Sequence, residues 1–234
     1  MTVILAIGGT DSSGGAGLTR DTAMAAGLGT AVRPVVTAVT VQTDDALLAI
    51  HPSPPQAVAD QARAALATPP APGAVKIGML GSAGVAEAIN DALPAGLPIV
   101  LDPVLKASSG GRLMAAGGFG ALLQRAALVT PNLAELEVLS GSAGSMDAQA
   151  AQLLAQGARA VLVKGGHGTG AESIDVLYTA EGAATPFAAA RLPGSKRGTG
   201  CSLATAIACR LARGDTLPEA CRRGKAAVHR WLGC

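Results

Sequence analysis

The residues best equipped for chemistry are Gly198-Thr199-Gly200-Cys201, where small side chains run into an apolar series of helical spacing, Leu203, Ile207 and Leu211. The first turn of a helix presents backbone N–H groups without internal partners and the positive end of the helix dipole, and glycines let an anion approach them closely. The segment is therefore read as a phosphate site. Cys201 stands at its mouth, where a helix N-terminus lowers a thiol pKa, so it is expected to act as a thiolate or a proton acceptor. The plainer alternative is a glycine turn before an ordinary helix with a buried cysteine. No Gly-x-x-x-x-Gly-Lys-Ser/Thr occurs, and Gly15-Ala16-Gly17 lacks the third glycine of a dinucleotide fingerprint, so a bound nucleotide would depend on the late loop.

The elements that must position this loop follow from periodicity. Short apolar or β-branched runs at Thr2-Ile7, Val32-Val41, Ala74-Ile77, Ile99-Leu101, Leu128-Val129 and Ala160-Val163 read as strands. Helical patterns lie at Ala16-Ala26, Pro55-Leu66, Ala83-Leu93, Asn132-Leu139, Ala148-Ala155 and Cys201-Ala212. Such alternation builds an α/β fold with a mostly parallel sheet covered on both faces. Polar residues and glycines gather after the strands, at Gly8 to Gly17, Gly78-Met79-Leu80, Asp102-Pro103-Val104, Thr130-Pro131-Asn132 and Lys164-Gly165-Gly166-His167. The connections at the opposite edge, Ala67 to Gly73 and Pro94 to Pro98, are mostly Ala, Pro and Gly. In open α/β sheets the carboxyl edge of the strands is where ligands bind.

Composition narrows the classes further. The 234 residues carry a net charge of +2 with both signs scattered, and only 2% are aromatic against 49% hydrophobic. Without a basic stripe or stacking platforms, nucleic acid is not an expected partner. No stretch is long enough to span a membrane, and the uncharged, short apolar start reads as a first strand, not as a signal peptide. Cys201, Cys209, Cys221 and Cys234 lack zinc-type spacing, and the expected setting is a reducing cytoplasm without a structural metal. Residues 1–234 are expected to form a single domain.

Seven segments, in order, resemble the ribokinase-like hydroxymethylpyrimidine/phosphomethylpyrimidine kinases of thiamine biosynthesis, and the resemblance runs essentially end to end. They are Gly9-Thr10-Asp11-Ser12-Ser13-Gly14-Gly15-Ala16-Gly17 with Asp21, Thr37-Ala38-Val39-Thr40-Val41-Gln42, Lys76-Ile77-Gly78-Met79-Leu80, Leu101-Asp102-Pro103-Val104, Thr130-Pro131-Asn132-Leu133-Ala134-Glu135, Lys164-Gly165-Gly166-His167 and Gly198-Thr199-Gly200-Cys201. The resemblance implies a ribokinase-like three-layer α/β/α sandwich, ATP as phosphoryl donor to a pyrimidine hydroxymethyl group and then to its monophosphate, Mg²⁺, and a homodimer. Such transfer needs positioning and charge neutralisation more than covalent work by the protein.

By that resemblance Gly198, Thr199 and Gly200 with Cys201 form the anion hole, and Cys201 takes the hydroxymethyl proton. Gly9, Asp21, Gln42, Met79 and Val104 fall in the acceptor pocket, where Gln42 both donates to and accepts from an aminopyrimidine edge. For Asp21 the alternative is an aspartate on a helix surface; for Met79 and Val104 it is core packing. Lys164 and Asn132 are assigned to the phosphates, and Glu135, Asn132 and Asp102 to Mg²⁺ through water; Arg197, where the family has another residue, is expected either to grip the ATP phosphates or to lie on a flexible lid. Asn132 and Glu135 also fit a helix capping box, and both readings hold together. Lys164 has the alternative of a surface salt bridge.

The chain departs from the family in two places. Lys196-Arg197 stands where histidine commonly precedes the glycine loop, and Ser108 stands where a lysine or threonine is often found. Two other functions remain open on the residues. One is a pyridoxal or pyridoxine kinase of vitamin B6 salvage, whose substrate is another ring bearing a hydroxymethyl group. The other is a non-catalytic pyrimidine-binding protein, against which the transfer residues argue.

Overall fold

Strand residues of this chain alternate between two buried faces, and that alternation sets the architecture. The computed structural model describes residues 1–106, 111, 113–114, 116–166, 170–193 and 196–234; Ser108 and His167, singled out above, lie outside the described residues. The elements run β1 (Val3–Asp11), α1 (Gly17–Gly27), β2 (Ala31–Gln42), β3 (Leu47–Pro52), α2 (Pro55–Ala67), β4 (Val75–Ile77), α3 (Ala83–Ala92) and β5 (Ile99–Leu101). They continue as α4 (Gly120–Arg125), β6 (Leu128–Val129), α5 (Leu133–Ser140), α6 (Met146–Ala155), β7 (Ala160–Val163), β8 (Glu172–Thr179), β9 (Gly182–Ala190), α7 (Thr199–Leu211) and α8 (Leu217–Leu232).

Among the described residues the strands form a nine-stranded sheet in the order β3-β2-β1-β4-β5-β6-β7-β8-β9. Its centre, β2 to β7, is parallel, and β3, β8 and β9 pair antiparallel at the edges. On one face Leu5, Ile7, Val75, Ile77, Leu101, Val129 and Val163 pack against Val58 of α2, Val85 of α3, Leu136 of α5 and Leu153 of α6. On the other, Ile4, Val100, Leu128 and Leu162 meet Met24 of α1, Leu203 and Ile207 of α7, and Val228 of α8. Period-two alternation along each strand thus serves two cores, which gives the expected three-layer sandwich. Between Val75 and Ile77 the same alternation turns Lys76 toward the α1–α7 face, where it is 1% exposed.

The six strands read from the sequence are all present, with β1 running on to Asp11 through a register shift between Gly8 and Gly9. Strands β3, β8 and β9 escaped that reading. Strand β9 is Gly-Ala-Ala-Thr-Pro-Phe-Ala-Ala-Ala, poor in β-formers, and is held by antiparallel pairing to β8. Strand β8 buries the charged Asp175, which pairs with Lys225 at 2.9 Å, so its alternation does not look apolar. Among the described residues no helix is long and apolar enough to cross a membrane.

Candidate active site

Two helices begin within contact of each other at the carboxyl edge of the sheet, and glycines make the approach feasible. Gly17 opens α1 at φ +58, and Gly198 precedes α7 at φ +73 and ψ 16. A Cβ on Gly17 would overlap the Gly9 carbonyl oxygen, and one on Gly198 would overlap the Gly15 carbonyl oxygen and stand 2.9 Å from Arg20 Cγ. Left-handed backbone and close approach therefore both require glycine here. Ser202 N–H closes the first turn of α7 on Gly198 O at 2.8 Å, and Thr199 Oγ1 donates to Lys196 O at 2.7 Å. The N–H groups of Thr199, Gly200 and Cys201 head the helix, where it offers them no internal acceptors.

Cys201 is half-buried at this junction, where the nearby Gly17 N–H favours its thiolate form. Its thiol is not the acidic one expected from the sequence. Burial pushes it up to about 11, against the opposing pull of Lys76, and Asp21 and Asp102 add to the rise. The helix N-terminus is the right kind of influence, but withdrawal from water outweighs it.

Beside Gly200 lies a compact charged group. Lys164 Nζ donates to Asp102 Oδ1 at 2.7 Å and stands 3.6 Å from Glu135 Oε2. A Cβ on Gly200 would lie 3.2 Å from that same Nζ. Burial opposes the lysine charge, yet Asp102 and Glu135 hold its pKa above the ordinary value. This is no surface bridge, since the Lys164 and Asp102 side chains are 13% and 2% exposed. Asn132 caps α5 through a full capping box: Oδ1 accepts from Glu135 N–H at 2.9 Å, and Glu135 Oε2 accepts from Asn132 N–H at 2.8 Å. Burial raises the Glu135 pKa, Lys164 lowers it and Asp102 raises it again.

Asp102 and Glu135 offer two carboxyl groups to the one ammonium of Lys164. Among the described residues no group of three or more His, Cys, Asp or Glu side chains is placed to hold a metal. One or two carboxylates beside a phosphate site nevertheless suit Mg²⁺, which keeps most of its water and takes phosphate oxygens as ligands. The donor set fits that mode and not an all-protein cage.

The acceptor side is organised by Asp11, which the sequence reading passed over. Its Oδ1 accepts from Ser13 N–H at 2.9 Å and Ser13 Oγ at 2.8 Å, and its Oδ2 from Ala16 N–H at 2.9 Å and Gln42 Nε2 at 3.3 Å. Gln42 is thereby fixed at the end of β2, with its N–H donating to Ser12 Oγ at 2.8 Å. Met79 lies against Gly9, where a Cβ would stand 2.9 Å from its Sδ, and its carbonyl accepts from Thr37 Oγ1 at 2.7 Å. Val104 is half-buried just past β5, in a tight turn closed by its N–H on Asp102 O at 2.8 Å.

Two residues sit differently from expectation. Arg197 does not wait for a phosphate: it bonds Asp11 at 3.1 Å, Asp44 at 3.0 Å, Ser13 Oγ at 2.6 Å and Thr43 O at 3.1 Å. Two carboxylates of the acceptor-side loops have captured it, so it latches those loops to the glycine segment. Asp21 is on neither a helix surface nor a pocket wall. It is fully buried, with Oδ2 accepting from Lys76 Nζ at 2.8 Å and Oδ1 from Thr205 Oγ1 at 2.8 Å. Lys196 turns the other way, donating to Trp231 O at 3.0 Å; its Nζ stands 5.3 Å from the Trp231 ring centroid, and Arg20 lies 4.8 Å from the same ring.

Comparison with known proteins agrees with this arrangement. The family model described as phosphomethylpyrimidine kinase matches residues 11–233. A thiamine biosynthesis bifunctional protein, ThiED, of Geobacter sulfurreducens is 41% identical over 95% of this chain, which spans 47% of that longer protein. A hydroxymethylpyrimidine/phosphomethylpyrimidine kinase of Rhizobium meliloti is 37% identical, covering 97% of this chain and 89% of its own length. Among solved structures, a phosphomethylpyrimidine kinase of Clostridium difficile superposes with TM-score 0.82 at 29% identity, over 99% of this chain and 100% of the other. The pyridoxal kinase of Staphylococcus aureus in complex with ADP gives 0.85 at 29% identity, over 98% and 87%.

Proposed function

Because this chain belongs to the phosphomethylpyrimidine kinase family, we propose that it transfers the γ-phosphoryl group of ATP to 4-amino-5-hydroxymethyl-2-methylpyrimidine, and then to the resulting monophosphate, in thiamine biosynthesis. The observation that carries the reading is the meeting of the α1 and α7 N-termini at Cys201, with Lys164, Asp102 and Glu135 beside Gly200.

In this mechanism the acceptor ring lies among Gly9, Gln42, Met79 and Val104, with its hydroxymethyl oxygen toward Cys201. That oxygen bonds to the γ-phosphorus as the bond from phosphorus to the β–γ bridging oxygen breaks, and ADP leaves. The hydroxyl proton passes to Cys201 Sγ. Negative charge that grows on the transferring group is met by the N–H groups of Thr199, Gly200 and Cys201, the preorganised stabilisation such a transition state rewards. Lys164 supplies a fixed positive charge at the same corner. Mg²⁺, held through water by Asp102, Glu135 and Asn132, would supply neutralisation of the phosphate charge. In the second transfer the acceptor is a phosphate oxygen that is already ionised, so the proton acceptor matters less. The chain acts as a single domain in the cytoplasm, and the homodimer expected from the family is checked by sedimentation; Val39, Val41 and Leu48 are apolar side chains exposed on β2 and β3.

A second reading is favoured by one observation, the fit to a pyridoxal kinase at TM-score 0.85. Mg-ATP-dependent ADP release, followed in parallel with the pyrimidine alcohol, its monophosphate and pyridoxal, separates the two. Turnover with both pyrimidines supports the proposal. Turnover with pyridoxal alone replaces it with vitamin B6 salvage, and no turnover with any of the three removes the kinase reading.

A further inference from the structure

Beneath Cys201 lies a buried ion pair that the mechanism above does not use. Gly17 and Asp21 are four residues apart on α1, and Cys201 and Thr205 four apart on α7, so each pair stacks on one helix face a turn apart. The two faces meet as a ladder. On its upper rung the Gly17 N–H favours the Cys201 thiolate, and on the lower rung Thr205 Oγ1 donates to Asp21 Oδ1 at 2.8 Å. Lys76 enters the lower rung from β4, donating to Asp21 Oδ2 at 2.8 Å. Its chain bends along the strand toward the site: a Cβ on Gly78, past the carboxyl end of β4, would stand 2.8 Å from Lys76 Nζ.

A fully buried lysine–aspartate pair is a poor stabiliser, since apolar side chains of like volume commonly serve a core as well or better. Its position suggests another use. We infer that Lys76 is a positioning residue for the proton on Cys201: its ammonium, anchored by Asp21, which Thr205 holds one helical turn along α7 from Cys201, stabilises the thiolate that accepts a proton from the alcohol. That proton bonds to Sγ during transfer and passes to solvent before the next turnover, while Lys76 keeps its own. The charged groups that act on Cys201 are Lys76 from β4, Asp21 from α1, Asp102 past β5 and Lys164 past β7. Of these Lys76 exerts the strongest pull, exceeding the opposing push of Asp21.

The inference rests on Cys201 as proton acceptor but is tested without turnover. Iodoacetamide alkylation of Cys201, followed by mass spectrometry of its peptide across pH, reads the thiolate directly. Lys76→Met is expected to raise the midpoint by at least one pH unit, a tenfold loss of alkylation rate on the acid side, whereas Lys76→Arg keeps it near the parent value. Because Lys76→Met leaves Asp21 buried and unpaired and can fail to fold, the double variant Lys76→Met with Asp21→Leu replaces the pair by apolar side chains and is expected to raise the midpoint as well. An unchanged midpoint in the folded double variant overturns the inference and leaves the pair a packing element. Failure of the kinase reading would show separately, as absent turnover in a protein whose alkylation profile still follows Lys76.

Discussion

Gly198→Ala and Gly141→Ala form a matched pair that isolates what the glycine before α7 does. Gly198 has φ 73 and ψ 16, and Gly141, at the end of α5, has φ 65 and ψ 17. Alanine at either position meets nearly the same backbone strain, about 1–2 kcal/mol in the left-handed region. Their surroundings differ. Nothing lies within 4 Å of a Cβ on Gly141, whereas one on Gly198 would overlap Gly15 O and stand 2.9 Å from Arg20 Cγ and 3.3 Å from Ala16 Cα. Real Cβ contacts below 3.0 Å essentially do not occur, and the Gly15 contact is a backbone carbonyl that cannot swing aside. The two helix mouths must therefore part by about 1 Å, a misplacement that costs roughly 10²-fold in catalysis, or about 2.7 kcal/mol of transition-state stabilisation. Urea unfolding and kcat/KM from ADP release measure the two effects separately. Gly141→Ala is expected to lose stability and keep kcat/KM, and Gly198→Ala to lose both. Near-parental kcat/KM in Gly198→Ala would refute the claim that contact between the two helix mouths sets the reaction geometry.

Cys201→Ala is expected to lower kcat for the pyrimidine alcohol by about 10²-fold, the range of general-base contributions, and for the monophosphate by far less; equal losses would remove the proton-acceptor role. With the thiol pushed up to about 11, it is protonated at neutral pH, so kcat/KM for the alcohol should climb nearly tenfold per pH unit between roughly pH 7 and 10, while the monophosphate reaction stays flat. Arg197→Ala should lower stability by only about 1 kcal/mol, because Asp11 keeps Ser13, Ala16 and Gln42 as donors, yet raise the KM of the acceptor; an unchanged KM in steady-state assays would show that the latch has no part in binding. The Cys209 and Cys221 thiols are raised from 9.0 to about 11 and about 12 by burial. Their contribution to stability is complete below pH 9 and is lost as pH rises through those values, so urea midpoints should fall above pH 9, and less steeply in Cys221→Ala.

Where a local pattern carried the information, the sequence was readable. The glycine run before Leu203 announced the start of α7, Asn132 and Glu135 announced their capping box, and alternating apolar residues marked the central strands. What stayed hidden depends on partners far apart in the chain. Lys76 and Asp21 are 55 residues apart, and Arg197 meets Asp11 and Asp44 across 186 and 153. A lysine in a short strand reads as a solvent-facing position, and only the stacking of α1 and α7 over that face shows it to be buried. The thiol of Cys201 was misjudged for a related reason: the helix start is local and visible, whereas the burial that outweighs it comes from elements distant in sequence. The edge strand β9 carries almost no signal of its own and exists through its pairing with β8.

Trp231 is the single tryptophan of the chain, and it is flanked by Lys196 and Arg20, one from the segment leading into the glycine turn and the other from the helix that faces it. Indole emission responds to nearby cations and to water, so a displacement of either cation would change the fluorescence of this residue. Any ligand that moves Lys196 or Arg20 would then be followed on the unlabelled protein, with no dye attached and no cysteine spent on attaching one.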